Sequence, residues 1–115
     1  MTSTETIESI LLFTELSRAI RGEVLTDTYS RGMYSTDASF YQIKPLAIVL
    51  PKDEDDVKQT IHFAQQHKLN ILPRGGGTSL AGQTVGDGLV IDFSKYMNKI
   101  IEFNEKEKWV RVQPG

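Results

Sequence analysis

Two short apolar runs, Ile71-Leu72 and Leu89-Val90-Ile91-Asp92-Phe93, are joined by a glycine-rich segment with no helical pattern between them. The segment reads Pro73-Arg74-Gly75-Gly76-Gly77-Thr78-Ser79-Leu80-Ala81-Gly82-Gln83, and Val85-Gly86-Asp87-Gly88 leads into the second run. The chain must therefore pass from strand to strand through a loop that carries few side chains. Three consecutive glycines can adopt positive φ and let the backbone approach a ligand with its N–H groups aimed at it. Arg74, Thr78 and Ser79 set a cation and two hydroxyl donors beside those amides, a combination that suits a phosphate or pyrophosphate. A plain turn of small residues would look similar. Two familiar phosphate motifs fail: counted from Gly75, the dinucleotide fingerprint would need glycine where Leu80 stands, and the P-loop pattern counted from Gly77 has Gln83 in place of lysine. Both motifs also open a helix, so this loop would have to hold its ligand without a helix dipole.

The preceding residues supply a strand–helix–strand unit. Ala47-Ile48-Val49-Leu50 is a continuous apolar run, as expected of a strand covered on both faces. Pro51 and Asp53 announce a helix, with Glu54, Asp55 and Asp56 in its first turn, where the dipole favours negative charge. Val57, Ile61 and Ala64 share a face at helical spacing, Asn70 is a plausible stop, and Ile71 begins the next strand. Such a unit implies a right-handed crossover and a parallel pair. Ile100-Ile101-Glu102-Phe103 and Trp109-Val110-Arg111-Val112 flank the polar residues 104–108 and read as a hairpin. At the start, Thr4 to about Ile20 reads as an amphipathic helix with Ile7, Ile10, Leu11, Phe13, Leu16 and Ile20 near helical spacing, Thr4 as cap and Gly22 as stop. Residues 22–39 read as a polar, turn-rich connection. The predicted fold class is α+β, with residues 1–39 forming the amino-terminal helix and its connecting loop and residues 40–115 forming a βαβ-containing subdomain.

Composition narrows the partners. The 115 residues are 39% apolar and 24% charged, ordinary for a globular chain. A net charge of −2 gives no electrostatic reason to expect nucleic acid or an anionic membrane. The absence of cysteine removes disulfides and thiolate metal or iron–sulfur sites from these residues. No apolar run is long enough to span a bilayer, and the polar start is not a signal peptide, so a cytoplasmic location is expected. His62 and His67 lie five apart on one predicted helix, off a common face, and read as surface residues. The run Asp53 to Asp56 reads as a solvated helix start, and no metal site is expected. Asp37 and Ser39 read equally well as a domain boundary or as a turn and a cap, Tyr96 and Trp109 as packing residues, and Asp92 as facing a neighbouring loop with no sign of catalysis.

The glycine loop as a whole resembles the pyrophosphate-binding loop of FAD-linked oxidases of the vanillyl-alcohol oxidase and p-cresol methylhydroxylase type. Its wording is most similar to the branch containing the flavin-binding glycolate oxidase chain and FAD-dependent D-2-hydroxyacid dehydrogenases. The resemblance extends upstream through Tyr34-Ser35-Thr36-Asp37-Ala38-Ser39 and Pro45 to Pro51. Downstream it takes in Asp92 to Ile100 and Val110-Arg111-Val112-Gln113-Pro114-Gly115, so it covers roughly residues 22 to 115.

That resemblance implies a p-cresol methylhydroxylase-type FAD-binding domain, of which residues 40–115 would be the incomplete first half. It implies an amino-terminal piece of a larger enzyme, inactive by itself. Arg74, Gly75, Gly76, Gly77, Thr78, Ser79, Leu80, Gly82 and Gln83 match the cofactor loop. The amides from Gly75 to Ser79 would bind the FAD pyrophosphate, helped by the Thr78 and Ser79 hydroxyls. Arg74 would either face the phosphates or brace the loop through backbone carbonyls. Where relatives attach FAD through histidine, Thr78 stands here, and with no cysteine present the expected hold is noncovalent. The implied reaction is hydride transfer from a D-2-hydroxyacid of the lactate, glycolate or 2-hydroxyglutarate class to the flavin. The catalytic residues and the electron acceptor are not assigned. An iron–sulfur domain is implied only for a carboxy-terminal region outside this chain. A stand-alone, non-enzymatic nucleotide-binding or interaction module is the alternative.

Overall fold

The computed structural model describes residues 3–36, 43–80 and 86–115, with side chains described from Leu11 onward. The Ile7, Ile10 and Thr4 side chains, Asp37, Ser39, Gly82 and Gln83 lie outside the described set. Helix α1 spans Ser3–Ala19 and buries Phe13 and Leu16, with Ile20 buried just beyond its end, whereas Leu11 points to solvent. The helix stops before Gly22. That glycine is required for a different reason: a Cβ there would overlap the Leu50 carbonyl.

Two elements emerge inside the expected 22–39 connection. Strand β1, Glu23–Leu25, pairs antiparallel with the next strand, and α2, Thr28–Met33, is a short helix capped by Asp27, whose carboxylate accepts the Ser30 N–H at 2.9 Å. Three and six residues are too few for periodicity to reveal. Strands β2 (Ala47–Leu50), β3 (Ile71–Arg74) and β4 (Leu89–Asp92) complete a four-stranded sheet in the order β1-β2-β4-β3. β2 and β3 both run parallel to β4, so they are parallel to each other as expected. They are not neighbours, because β4 inserts between them and makes the fully buried centre. Gly88 admits β4 at this position, since a Cβ would overlap the Asn70 carbonyl.

Alternation along the strands divides the core in two. Ala47, Val49, Leu89 and Ile91 face α1 and α3, meeting Phe13, Leu16, Ile20, Phe63 and Ala64. Ile48, Leu50 and Val90 face the other way, toward Leu25, Tyr34, Leu72 and Tyr96. Helix α3, Glu54–Gln66, begins at the cap Asp53, which accepts the Asp56 N–H at 2.9 Å. Its buried face differs from the expected one: Asp56, Thr60, Phe63 and Ala64 turn inward while Ile61 is exposed. A stripe containing two polar residues is invisible to apolar periodicity. The helix also ends before Asn70, at Gln66, with His67 capping it, Lys68 in the left-handed region (φ 55°) and Leu69 N–H returning to the Ala64 carbonyl at 2.8 Å.

Asp56 corrects the picture of a solvated acidic start. It is buried and accepts the backbone N–H groups of Arg21, Gly22 and Lys52 at 2.8 to 2.9 Å, joining the α1–β1 connection to the start of α3. Burial alone would raise its carboxyl. The N–H groups of Arg21, Lys52 and Gly22, with the Arg21 charge, outweigh that and hold it below the usual aspartate value. Arg21 also pairs with Asp53.

The hairpin forms as expected from β5 (Ile100–Asn104) and β6 (Trp109–Val112), with a bulge between Ile100 and Glu102 and Lys108 at φ 59° in its turn. Its two strands form a separate sheet whose residues are mostly exposed. The chain then runs back along the β4–β5 connection: Gln113 N–H donates to Lys99 O at 2.9 Å and Gly115 N–H to Met97 O at 2.8 Å.

Candidate functional site

Because β2, β3 and β4 are parallel, their carboxyl ends share one edge of the sheet. The glycine loop, the β2–α3 turn at Lys52 and the Phe93–Met97 turn after β4 all leave from that edge. In parallel sheets this is where ligands gather. The end of the chain lies here as well: the Pro114 carbonyl is 3.7 Å from where a Cβ on Gly75 would sit. Next to it a cleft of about 410 Å³ opens between Val57 and Lys58 of α3, Phe93, Met97 and the hairpin base.

Within the loop, Gly77 has φ 71°, the left-handed conformation that a glycine adopts without strain. Among the described residues, none of the N–H groups from Gly75 to Ser79 donates a hydrogen bond to the protein. Gly76, Thr78 and Leu80 are exposed, while Gly75, Gly77 and Ser79 are half-buried. A run of unpartnered amides around a left-handed residue is the geometry of a backbone anion cradle. The residues present therefore fit a bound diphosphate.

Arg74 stands at the last position of β3, directly across from Asp92 on β4. Its side chain reaches backbone carbonyls. These carbonyls belong to the end of α2 and the residues after it. Nη1 donates to Thr36 O at 2.8 Å and to Tyr34 O at 3.5 Å, and the guanidinium lies 5.0 Å from the centre of the Tyr34 ring. The same guanidinium packs against Gly77, where a Cβ would overlap it. The Tyr34 hydroxyl donates to the buried Asp92 carboxylate, which also accepts Ser94 N–H at 2.8 Å and Ser94 Oγ–H at 2.6 Å. Burial, then the hydrogen bond and charge of Asp92, push the Tyr34 hydroxyl well above the ordinary tyrosine value. Asp92 does face neighbouring segments, as its strand position suggested, but its bond to Tyr34 was not legible. Tyr34 and Asp92 stand 58 residues apart and no spacing links them.

The weaker candidates are dispersed. His62 on α3 and His67 at its cap are exposed, and the His67 ring rests 4.5 Å from that of Phe63. Tyr96 is half-buried and donates to Glu23 at 2.5 Å, and Lys95 donates to the same carboxylate at 2.6 Å. Trp109 is a hairpin residue, with its ring 5.8 Å from the Arg111 guanidinium. Among the described residues there is no group of three or more His, Cys, Asp or Glu that could hold a metal ion, and no helix is long and apolar enough to cross a membrane.

Residues 45–115 match the family described as FAD binding domain. The chain belongs to this family. It is 43% identical over 98 residues to D-2-hydroxyglutarate dehydrogenase of Pseudomonas putida, covering 83% of this chain and 10% of that protein. It is 40% identical over 88 residues to the GlcD subunit of glycolate oxidase of Bacillus subtilis, covering 74% of this chain and 18% of that one. The chain thus spans about a tenth of the length of the D-2-hydroxyglutarate dehydrogenase. In fold it is similar to 4-ethylphenol oxidase from Gulosibacter chungangensis, with a TM-score of 0.76 at 22% identity over all of this chain and 23% of that one. The expected α+β, FAD-binding architecture is therefore established, and so is the expected resemblance to the branch that contains glycolate oxidase.

Proposed function

We propose that this chain is the amino-terminal part of an FAD-dependent oxidoreductase and that its glycine loop holds the FAD pyrophosphate noncovalently. The observation that carries this reading is the row of unpartnered amides from Gly75 to Ser79 at the carboxyl edge of the sheet, in a chain of the FAD-binding family. The Thr78 and Ser79 hydroxyls would add donors, with Leu80, Gly82 and Gln83 completing the loop. Arg74 would act by fixing the loop, its positive charge adding to the local field. Bound FAD would supply the hydride acceptor. This chain's residues would anchor the dinucleotide and leave substrate binding to the rest of the enzyme.

By likeness to the two curated relatives, the whole enzyme would oxidise a D-2-hydroxyacid of the lactate, glycolate or 2-hydroxyglutarate class. The protein would act in the cytoplasm, with residues 40–115 as the first part of its FAD domain. Any iron–sulfur cluster would belong to a region outside these residues. The solvent-exposed apolar residues of β5 and β6 favour a piece of a larger body over a stand-alone binding module.

Flavin fluorescence titration tests the site. FAD should bind more tightly than riboflavin, which lacks the diphosphate, and inorganic pyrophosphate should compete. Gly77→Val should weaken FAD by at least tenfold, because the side chain meets both a left-handed φ and the Arg74 guanidinium. Acid precipitation should release all the flavin. Equal affinity for FAD and riboflavin would remove the pyrophosphate assignment, and flavin retained in the pellet would remove the noncovalent one.

A further inference from the structure

Arg74 and Asp92 are opposite each other at the last paired position of β3 and β4. By strand alternation they project to the same side as Leu72 and Val90, the face that Tyr34 covers. Tyr34 therefore stands between them, its ring under the guanidinium and its hydroxyl on the carboxylate. Asp92 is fixed from its other side by Ser94, whose N–H and hydroxyl both donate to Oδ1, leaving Oδ2 for Tyr34. The guanidinium is thus set by the ring below it, by the carbonyls of Thr36 and Tyr34, and by the Gly77 backbone against which it packs. A long, rotamer-rich side chain is converted into a fixed wedge beside the left-handed turn.

We propose that Tyr34 and Asp92 are positioning residues for the glycine loop: they seat the Arg74 guanidinium against Gly77 and so hold the loop amides in the orientation that receives a diphosphate. The proposal rests on the FAD reading for its ligand, but not for its geometry. Neither residue need touch the cofactor. Tyr34 supplies a hydroxyl donor and a ring face, and Asp92 supplies an acceptor. What matters at Asp92 is the hydrogen bond more than the charge, since its contact with Tyr34 is a hydrogen bond.

The test separates geometry from binding. Amide resonances of Gly75 to Ser79 are followed by ¹H–¹⁵N correlation spectra without ligand, and the affinities for FAD and riboflavin are measured on the same proteins. Tyr34→Phe keeps the ring but removes the hydroxyl, Asp92→Ala removes its partner, and Asp92→Asn removes the charge while keeping a hydrogen bond, its oxygen serving Ser94 and its NH2 donating to the Tyr34 oxygen. Tyr34→Phe and Asp92→Ala should shift the loop amides and weaken FAD about tenfold with riboflavin unchanged, and Asp92→Asn should restore most of both. A merely structural role would not discriminate between FAD and riboflavin, nor be rescued by asparagine. If the loop amides stay in place in Tyr34→Phe and Asp92→Ala, the proposal is overturned whatever happens to affinity. If they move while wild type and Gly77→Val bind FAD alike, the positioning role stands and the pyrophosphate reading is the one that fails.

Discussion

Strands β4 and β6 have the same length and nearly the same apolar content, yet they have opposite fates. Leu89, Val90 and Ile91 of β4 are at most 2% exposed, whereas Val110 and Val112 of β6 are 50% and 57% exposed. The difference lies in what surrounds them. β4 has a strand on each side, with α1 and α3 on one face and Tyr34, Leu72 and Tyr96 on the other. β6 has one partner strand, and Ile100, Ile101 and Phe103 of that partner are exposed with it. An apolar strand becomes core only when two layers and two neighbours close on it. The hairpin stays tied to the sheet at its base while keeping a sticky surface.

The contrast predicts the cost of truncation, and the largest effect belongs to β4. Leu89→Ala removes a fully buried side chain from the sheet centre and should cost about 3 kcal/mol. The urea midpoint would fall steeply or the cooperative transition would vanish. Next comes Asp56→Ala, which strands three backbone N–H groups at the α1–α3 junction and should cost about 2 kcal/mol. Asp56 also gives the protein an acid-sensitive joint. Its carboxyl titrates lower when folded than when unfolded, where aspartate has a pKa of about 3.9. The stabilisation is complete at neutral pH and is lost as pH falls below about 4 through the folded value. Urea midpoints measured from pH 7 to pH 3 should decline less in Asp56→Ala than in wild type. Parallel declines would remove Asp56 from the acid response.

What could be read from the sequence follows the same division. Ala47 to Leu50, Leu89 to Ile91 and the existence of α3, though not its buried face, announce themselves because apolar runs and a capped acidic first turn are local signals. The glycine loop was legible because few backbones require three glycines followed by two hydroxyl residues. Strand order was not legible: nothing near Ile71 says that β4 will slip between β2 and β3. The carbonyls of Asn70 and Leu50, which exclude side chains at Gly88 and Gly22, come from distant segments. Asp56 misled and the partners of Asp92 stayed hidden for a related reason. A carboxylate reads as solvent-facing until the donors that bury it are known, and those donors are Arg21, Gly22 and Lys52 in one case and Tyr34 and Ser94 in the other. Likewise, the carbonyls that Arg74 reaches lie some forty residues upstream.

The smallest stability effects should come from the hairpin. Glu102 and Arg111 face each other at 3.5 Å with both side chains more than half exposed, so replacing either with alanine should change stability by no more than about 0.5 kcal/mol. Phe103 is the sharper probe because it is large, apolar and 69% exposed. Phe103→Ser removes little buried surface and should leave the urea midpoint within about 0.5 kcal/mol of wild type. It should, however, lower self-association of the isolated chain in sedimentation velocity, since β5 and β6 expose several large apolar side chains together. A loss of stability comparable to that of Leu89→Ala would mean that the hairpin belongs to the core after all, and the distinction between the two strands would collapse. Unchanged stability with reduced association would establish that the hairpin surface serves contacts beyond its own fold.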